Sequence, residues 1–139
     1  MATTVAEVMA HEPATVNADT PVSEAAREMR TSNTGNVLVM DGGRLIGILT
    51  DRDIAIRVVA ENKDPNTPVR QAVSAGDLAT VTPDTKLEEA VQLMRSKAVR
   101  RLPVVEGDRP VGIISIGDLA IERDESSALA DISAAEPNE

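Results

Sequence analysis

The sequence contains no phenylalanine, tyrosine, tryptophan or cysteine, and only one histidine. Without aromatic rings it lacks the stacking platforms on which single-stranded nucleic acids are usually held. The net charge of −9 points the same way, because phosphate neutralisation by Lys and Arg dominates affinity for DNA and RNA. Nucleic acid is therefore not an expected partner. The absence of cysteine excludes disulfides and thiolate chemistry, and His11 alone cannot supply a histidine-rich metal site. His11 reads as an exposed loop residue in the turn before Pro13. Carboxylates alone leave room only for weak binding of a hard cation. No basic segment followed by an apolar core opens the chain, and no apolar run approaches the roughly 20 residues of a membrane span. The expectation is a soluble, cytoplasmic protein with no membrane partner.

What is present is a core alphabet of Val, Ile, Leu, Ala and five Met in 139 residues. That length supports one ordinary core or two small ones that share an interface. The chain uses one short stretch twice. Gly47-Ile48-Leu49-Thr50-Asp51-Arg52-Asp53-Ile54 and Gly112-Ile113-Ile114-Ser115-Ile116-Gly117-Asp118-Leu119 share a glycine, two aliphatics, a hydroxyl residue, two variable positions, an aspartate and an aliphatic. The two glycines stand 65 residues apart, and the surroundings recur at the same offset. Thr15-Val16 meets Thr80-Val81, Asp19-Thr20 meets Asp84-Thr85, Met29-Arg30 meets Met94-Arg95, and Ala55-Ile56 meets Ala120-Ile121. The chain is a tandem duplication.

Read in order, Val5, Val8 and Met9 predict a short amphipathic helix over residues 3–9. Thr15-Val16 follows as a very short strand. Thr20 reads as the cap of a helix whose first residue is Pro21. Its buried stripe is Val22, Ala25, Ala26 and Met29. Val37 to Met40 and Leu45 to Leu49 read as a hairpin about Gly42-Gly43. A second helix runs from Asp51 to about Glu61 and presents Ile54, Ala55, Val58 and Val59. Residues 62–68, with Pro65 and Pro68 and no apolar side chain, are the linker. The second copy replays this order, with Thr85 and Glu88 read as a capping box. Organisation is thus one repeat over residues 1–62, linker and second repeat over 63–125, and an acidic Ala/Ser tail over 126–139.

Each repeated stretch is a strand that runs into a helix, with Thr50 or Ser115 at the N-cap. A Thr or Ser followed three residues later by an acid is also a plain capping box, which accounts for either copy taken alone. The chemical alternative is a nucleotide site. A capped helix start presents amides and partial positive charge to a phosphate, and a carboxylate one turn in accepts from the two hydroxyls of a ribose.

Together these residues resemble the CBS domain, named after cystathionine β-synthase, and the pair resembles a Bateman module over nearly the whole chain. The Thr-Asp-Arg-Asp-Ile run and linker look like the small stand-alone CBS-pair proteins of bacteria. The resemblance implies an α/β (α+β) fold in which each repeat is a small three-stranded sheet with two helices, packed about a pseudo-twofold axis. It also implies that the Asp holds a ribose, that the Thr or Ser approaches phosphate, and that the backbone of the short strand frames adenine. A middle strand from the partner repeat would complete each site. The first site is then Thr50, Arg52, Asp53, Thr80, Val81, Arg100 and Arg101, a cationic set suited to phosphates. Asp51 in the same turn is a mild counter-argument. The weaker second site is Thr15, Val16, Asn36, Ser115 and Asp118, with Gly35 beside it, and is either empty or takes an uncharged adenosyl compound.

The reading is a regulatory module that senses an adenine nucleotide such as AMP, ADP or ATP, or an adenosyl compound, with no catalytic residues, no metal and no cofactor beyond that ligand. Output is expected to pass through a separate effector protein, and the chain is expected to form a homodimer through helical faces. The alternative is a ligand-free dimeric scaffold. An enzyme is disfavoured, since no nucleophile and base pair is visible.

Overall fold

Over residues 3–73 and 78–123, which the computed structural model describes, the chain is mixed α+β, with six strands and four α-helices. The strands are β1 (Ala10–His11), β2 (Thr15–Asn17), β3 (Asn36–Asp41), β4 (Arg44–Thr50), β5 (Arg101–Glu106) and β6 (Arg109–Ser115). The helices are α1 (Val22–Ser32), α2 (Asp51–Ile54), α3 (Leu87–Lys97) and α4 (Ile116–Arg123). Two three-stranded sheets result, ordered β2-β3-β4 and β1-β6-β5.

The first sheet, α1 and α2 lie in a unit of residues 13–78; the second sheet, α3 and α4 lie in a unit of residues 79–123 joined by residues 3–12. Both hairpins close at glycines with positive φ, Gly42 and Gly43 in one and Gly107 in the other. Such turns match the right-handed twist of the strands they join. Each hairpin carries a register shift at the same place, between Val39 and Met40 and between Val104 and Val105. In the first unit Val37, Val39, Leu49 and Met29 close the core; in the second Leu102, Val104, Ile114 and Met94 do so. No polar or charged residue is buried among the described residues.

The sequence repeats and the compact units differ at their opening segments. Residues 5–7 form a single 3-10 turn where a longer amphipathic helix was expected. Its amides donate into the unit of the second copy, Val5 to the Thr85 carbonyl at 2.8 Å and Ala6 to the Pro83 carbonyl at 2.9 Å. The matching turn, Val69–Gln71, donates into the unit of the first copy, Val69 to Thr20 and Arg70 to Ala18, each at 2.9 Å. His11 is exposed, but it lies in β1 rather than in a loop, opposite Gly112. The Glu7 carboxylate ties down the first turn by accepting from Thr3 and Thr4. Those bonds, the Thr3 amide first, hold its carboxyl below the usual range. The second turn is anchored by Arg70, whose guanidinium lies 2.9 Å from Asp41 and 3.3 Å from Asp19.

The helix starts also differ from the local reading. Pro21, with ψ of 144°, is the cap of α1, and Lys86 is the cap of α3. The Thr85–Glu88 capping box does not form, because the Thr85 hydroxyl accepts from the Thr82 amide at 3.0 Å instead. The free amides of α1 are taken by the linker, Val22 to the Thr67 carbonyl and Ser23 to the Pro65 carbonyl, and Leu87 of α3 donates to Thr3. Distant backbone thus does what a local side chain does elsewhere. Ala26 is exposed, leaving Val22, Ala25 and Met29 as the buried stripe. After α2 the chain winds on as a π-turn over Ala55–Val59, which buries Val58 and leaves Val59 70% exposed.

Candidate ligand site

In the first copy β4 delivers Thr50, in extended conformation, to the start of α2. The Thr50 hydroxyl accepts from the Asp53 amide at 3.1 Å, and the Thr50 amide donates to Asp53 Oδ2 at 2.9 Å. This is a complete reciprocal box. The Asp53 side chain is only 17% exposed, and its other oxygen lies 3.6 Å from Arg57 Nε. Asn36 of β3 stands opposite Thr50, and Thr15 and Val16 of β2 run parallel to β3 opposite Leu38 and Val39. Arg52 is exposed. Asp51 is exposed too, its carboxylate accepting from the Arg52 amide at 2.8 Å. A Cβ on Gly35 would stand 3.1 Å from that carboxylate, so glycine at this position leaves Asp51 its place.

The second copy repeats the geometry. The Ser115 amide donates to Asp118 Oδ2 at 2.9 Å, and the Asp118 amide donates to the Ser115 hydroxyl at 3.2 Å. Arg101 of β5 stands opposite Ser115, and the carbonyl of exposed Arg100 accepts from the Ile116 amide at 2.9 Å. Val81, next to Thr80, bridges to Val104 in parallel and bonds Pro103 and Val105 through its backbone. Thus Thr15, Val16, Asn36, Thr50, Arg52 and Asp53 share one unit. Thr80, Val81, Arg100, Arg101, Ser115 and Asp118 share the other.

Two features in and just after the repeated stretch had no account from sequence. Its leading glycine is a point of close approach: a Cβ on Gly112 would stand 2.5 Å from Met9 Sδ and 2.9 Å from the Ala10 carbonyl oxygen. A Cβ on Gly47 would stand 2.6 Å from a Val73 methyl. The opening segments approach the hairpins there, and the missing side chain leaves them room. The second feature is Arg57, four residues after Asp53, whose helical spacing was the available signal. Among the described residues no cluster of His, Asp or Glu is arranged to hold a metal. Nor is any helix there long and apolar enough to cross a membrane.

The family model of the CBS domain matches the chain twice, over residues 5–60 and 69–124. The chain belongs to the CBS-domain family. It is 42% identical over 133 residues to the CBS domain-containing protein YhcV of Bacillus subtilis, covering 93% of this chain and 94% of that one. A solved CBS-domain protein of Burkholderia ambifaria superposes with a TM-score of 0.78 at 31% identity, over 89% of this chain and 96% of that one. The hexameric CBS-CP12 protein of bloom-forming cyanobacteria gives a TM-score of 0.76 at 27% identity, over 89% and 74% respectively. A tandem CBS pair is in general a regulatory module rather than a catalytic one.

Proposed function

We propose that this CBS pair senses an adenine nucleotide or adenosyl compound, with Asp53 and Asp118 as the ribose-accepting groups and Thr50 and Ser115 beside the phosphate or its equivalent. The observation that carries the reading is the carboxylate left in place by each box. One oxygen of Asp53 and one of Asp118 accept from the cap amide. An ionised carboxylate has about four acceptor positions, so capacity for a diol remains. The resemblance adds Arg52, Thr80, Val81, Arg100 and Arg101 to the ligand of Asp53, and Thr15, Val16 and Asn36 to that of Asp118. Guanidinium groups suit phosphate through paired donors, so the first site takes the charged nucleotide.

The test is a thermal-shift panel of AMP, ADP, ATP, NAD, S-adenosylmethionine and cyclic dinucleotides. A ligand that binds only the folded chain raises its melting temperature with concentration, by about 2.7 kcal/mol of stabilisation at a hundredfold excess over Kd. An adenine compound that does so supports the reading, and a panel with no response contradicts it. The completed boxes favour one rival, a scaffold in which the two aspartates serve the helix starts alone, and a silent panel is its signature.

The output is proposed to pass through self-association and a separate cytoplasmic effector protein. Ile56 and Val59 in the first unit, and Val99 and Ile116 in the second, are large apolar side chains left exposed. The latter pair line a groove of about 340 Å³ together with Val91, Met94, Arg95, Leu119 and Ala120. Helical apolar surface of this kind is what a homodimer would cover. Light scattering at micromolar concentration is expected to show a dimer or larger, and a monomer alone contradicts it.

A further inference from the structure

Asp53 and Asp118 have opposite charges four positions further along: the first copy has Arg57 there, whereas the second has Glu122. Arg57 Nε lies 3.6 Å from Asp53 Oδ1, the oxygen that the box with Thr50 does not use. The helix also changes its winding at this point. Ala60 donates to the Ala55 carbonyl at 2.9 Å and Lys63 to the Val58 carbonyl at 2.8 Å, both five residues back. The matching stretch of the second copy continues as the α-helix α4 to Arg123. Arg57 faces Asp53 through the ordinary spacing of residues four apart on a helix.

The distance matters as much as the contact. At 3.6 Å the pair is an ion pair and lies outside the roughly 2.7–3.2 Å range of a hydrogen bond, so Arg57 attracts Oδ1 without using its lone pairs. One oxygen is pinned by the Thr50 amide and the other is drawn toward a guanidinium. The two contacts bias the orientation of the carboxylate plane, and an ionised carboxylate has acceptor capacity beyond the one bond from Thr50. We infer that Arg57 is a positioning residue that sets the Asp53 carboxylate for a vicinal diol, so that the first copy discriminates ribose from deoxyribose more sharply than its aspartate would unaided. This rests on the nucleotide reading and adds to it the group that makes the sugar contact selective.

Calorimetric titration of the full chain with AMP and with 2′-deoxy-AMP tests it. Wild-type protein is expected to prefer AMP. Arg57→Gln should narrow that preference about two- to fivefold, the range that corresponds to an exposed ion pair, with helix content unchanged by circular dichroism. Arg57→Lys, which keeps the charge, should retain part of the preference. A role confined to helix stability would weaken both ligands alike and leave their ratio where it was. An unchanged ratio in Arg57→Gln therefore overturns the inference while leaving the nucleotide reading intact. Wild-type protein that binds neither ligand overturns that reading and the inference together.

Discussion

Thr50 and Asp53 hold each other by two hydrogen bonds, one from each backbone amide to the other's side chain, at 2.9 and 3.1 Å. Ser115 and Asp118 do the same 65 residues later. A repeated capping box fixes a helix start and, in the same act, aims a carboxylate. Asp53→Asn therefore separates the two roles, since the amide oxygen can still accept from Thr50 while the charge is lost. Its unfolding free energy, read from urea melts, is expected to fall by no more than an ordinary cap change, about 1 kcal/mol. A much larger loss would mean that the carboxylate's role in the fold goes beyond the cap.

Gly112→Ala is expected to destabilise the protein by about 1–3 kcal/mol, the scale of overpacking. The added methyl would stand 2.9 Å from the Ala10 carbonyl oxygen, where β1 pairs with β6. Gly47→Ala should cost less, because its close neighbour is a side-chain methyl of Val73. Urea melts of the two variants check the order; equal effects would count against this account of the glycine.

Ala98 closes α3 in the left-handed region, φ 54°, where the first copy has Asn33 at the same angle. A Cβ in that conformation costs about 1 kcal/mol. Ala98→Gly or Ala98→Asn should accordingly stabilise the protein by about 0.5–1 kcal/mol. No gain in denaturant midpoint would contradict the assignment of strain to this residue.

Asp41 is held below the usual carboxylate range by the hydrogen bond from Arg70, then by the charges of Arg70 and Arg44. A carboxyl with a depressed folded-state pKa contributes stability above its unfolded value, near pH 4, and loses it as pH falls through the folded one. Arg70, raised by its bonds to Asp41 and Asp19, stays charged throughout. The melting-temperature gap between wild type and Arg70→Ala should hence be constant near neutrality and close below about pH 4. A gap that persisted at low pH would show that Arg70 acts by packing.

The duplication, the two hairpins and the paired hydroxyl–carboxylate signature were legible because each is a local pattern written twice. The caps of α1 and α3 were not. Thr20 and Thr85 look like caps in sequence, yet the amides of those helices go to the carbonyls of Pro65, Thr67 and Thr3, far along the chain. The opening segment escaped for a related reason. Ala10 and His11 become a strand because β6 offers them an edge at Ile113 and Gly112, and two residues carry no periodicity of their own. The π-turn after Ile54 was hidden because Ile54, Ala55, Val58 and Val59 satisfy a helical stripe in either winding. Arg57 has no part in the sequence reading, although its spacing from Asp53 is visible there.

The central claim is that Asp53 receives the sugar of an adenine nucleotide, and calorimetric titration of AMP into wild type, Asp53→Ala and Asp118→Ala tests it most directly. Removing an acceptor that serves a ribose diol should cost about 1.5–3 kcal/mol, on the scale of hydrogen bonds to charged groups. That is roughly one to two decades in Kd. The account predicts that Asp53→Ala loses the tight site while Asp118→Ala keeps it, both with wild-type helix content. Wild-type protein that binds AMP tightly, together with an Asp53→Ala variant that binds it equally well, would contradict it.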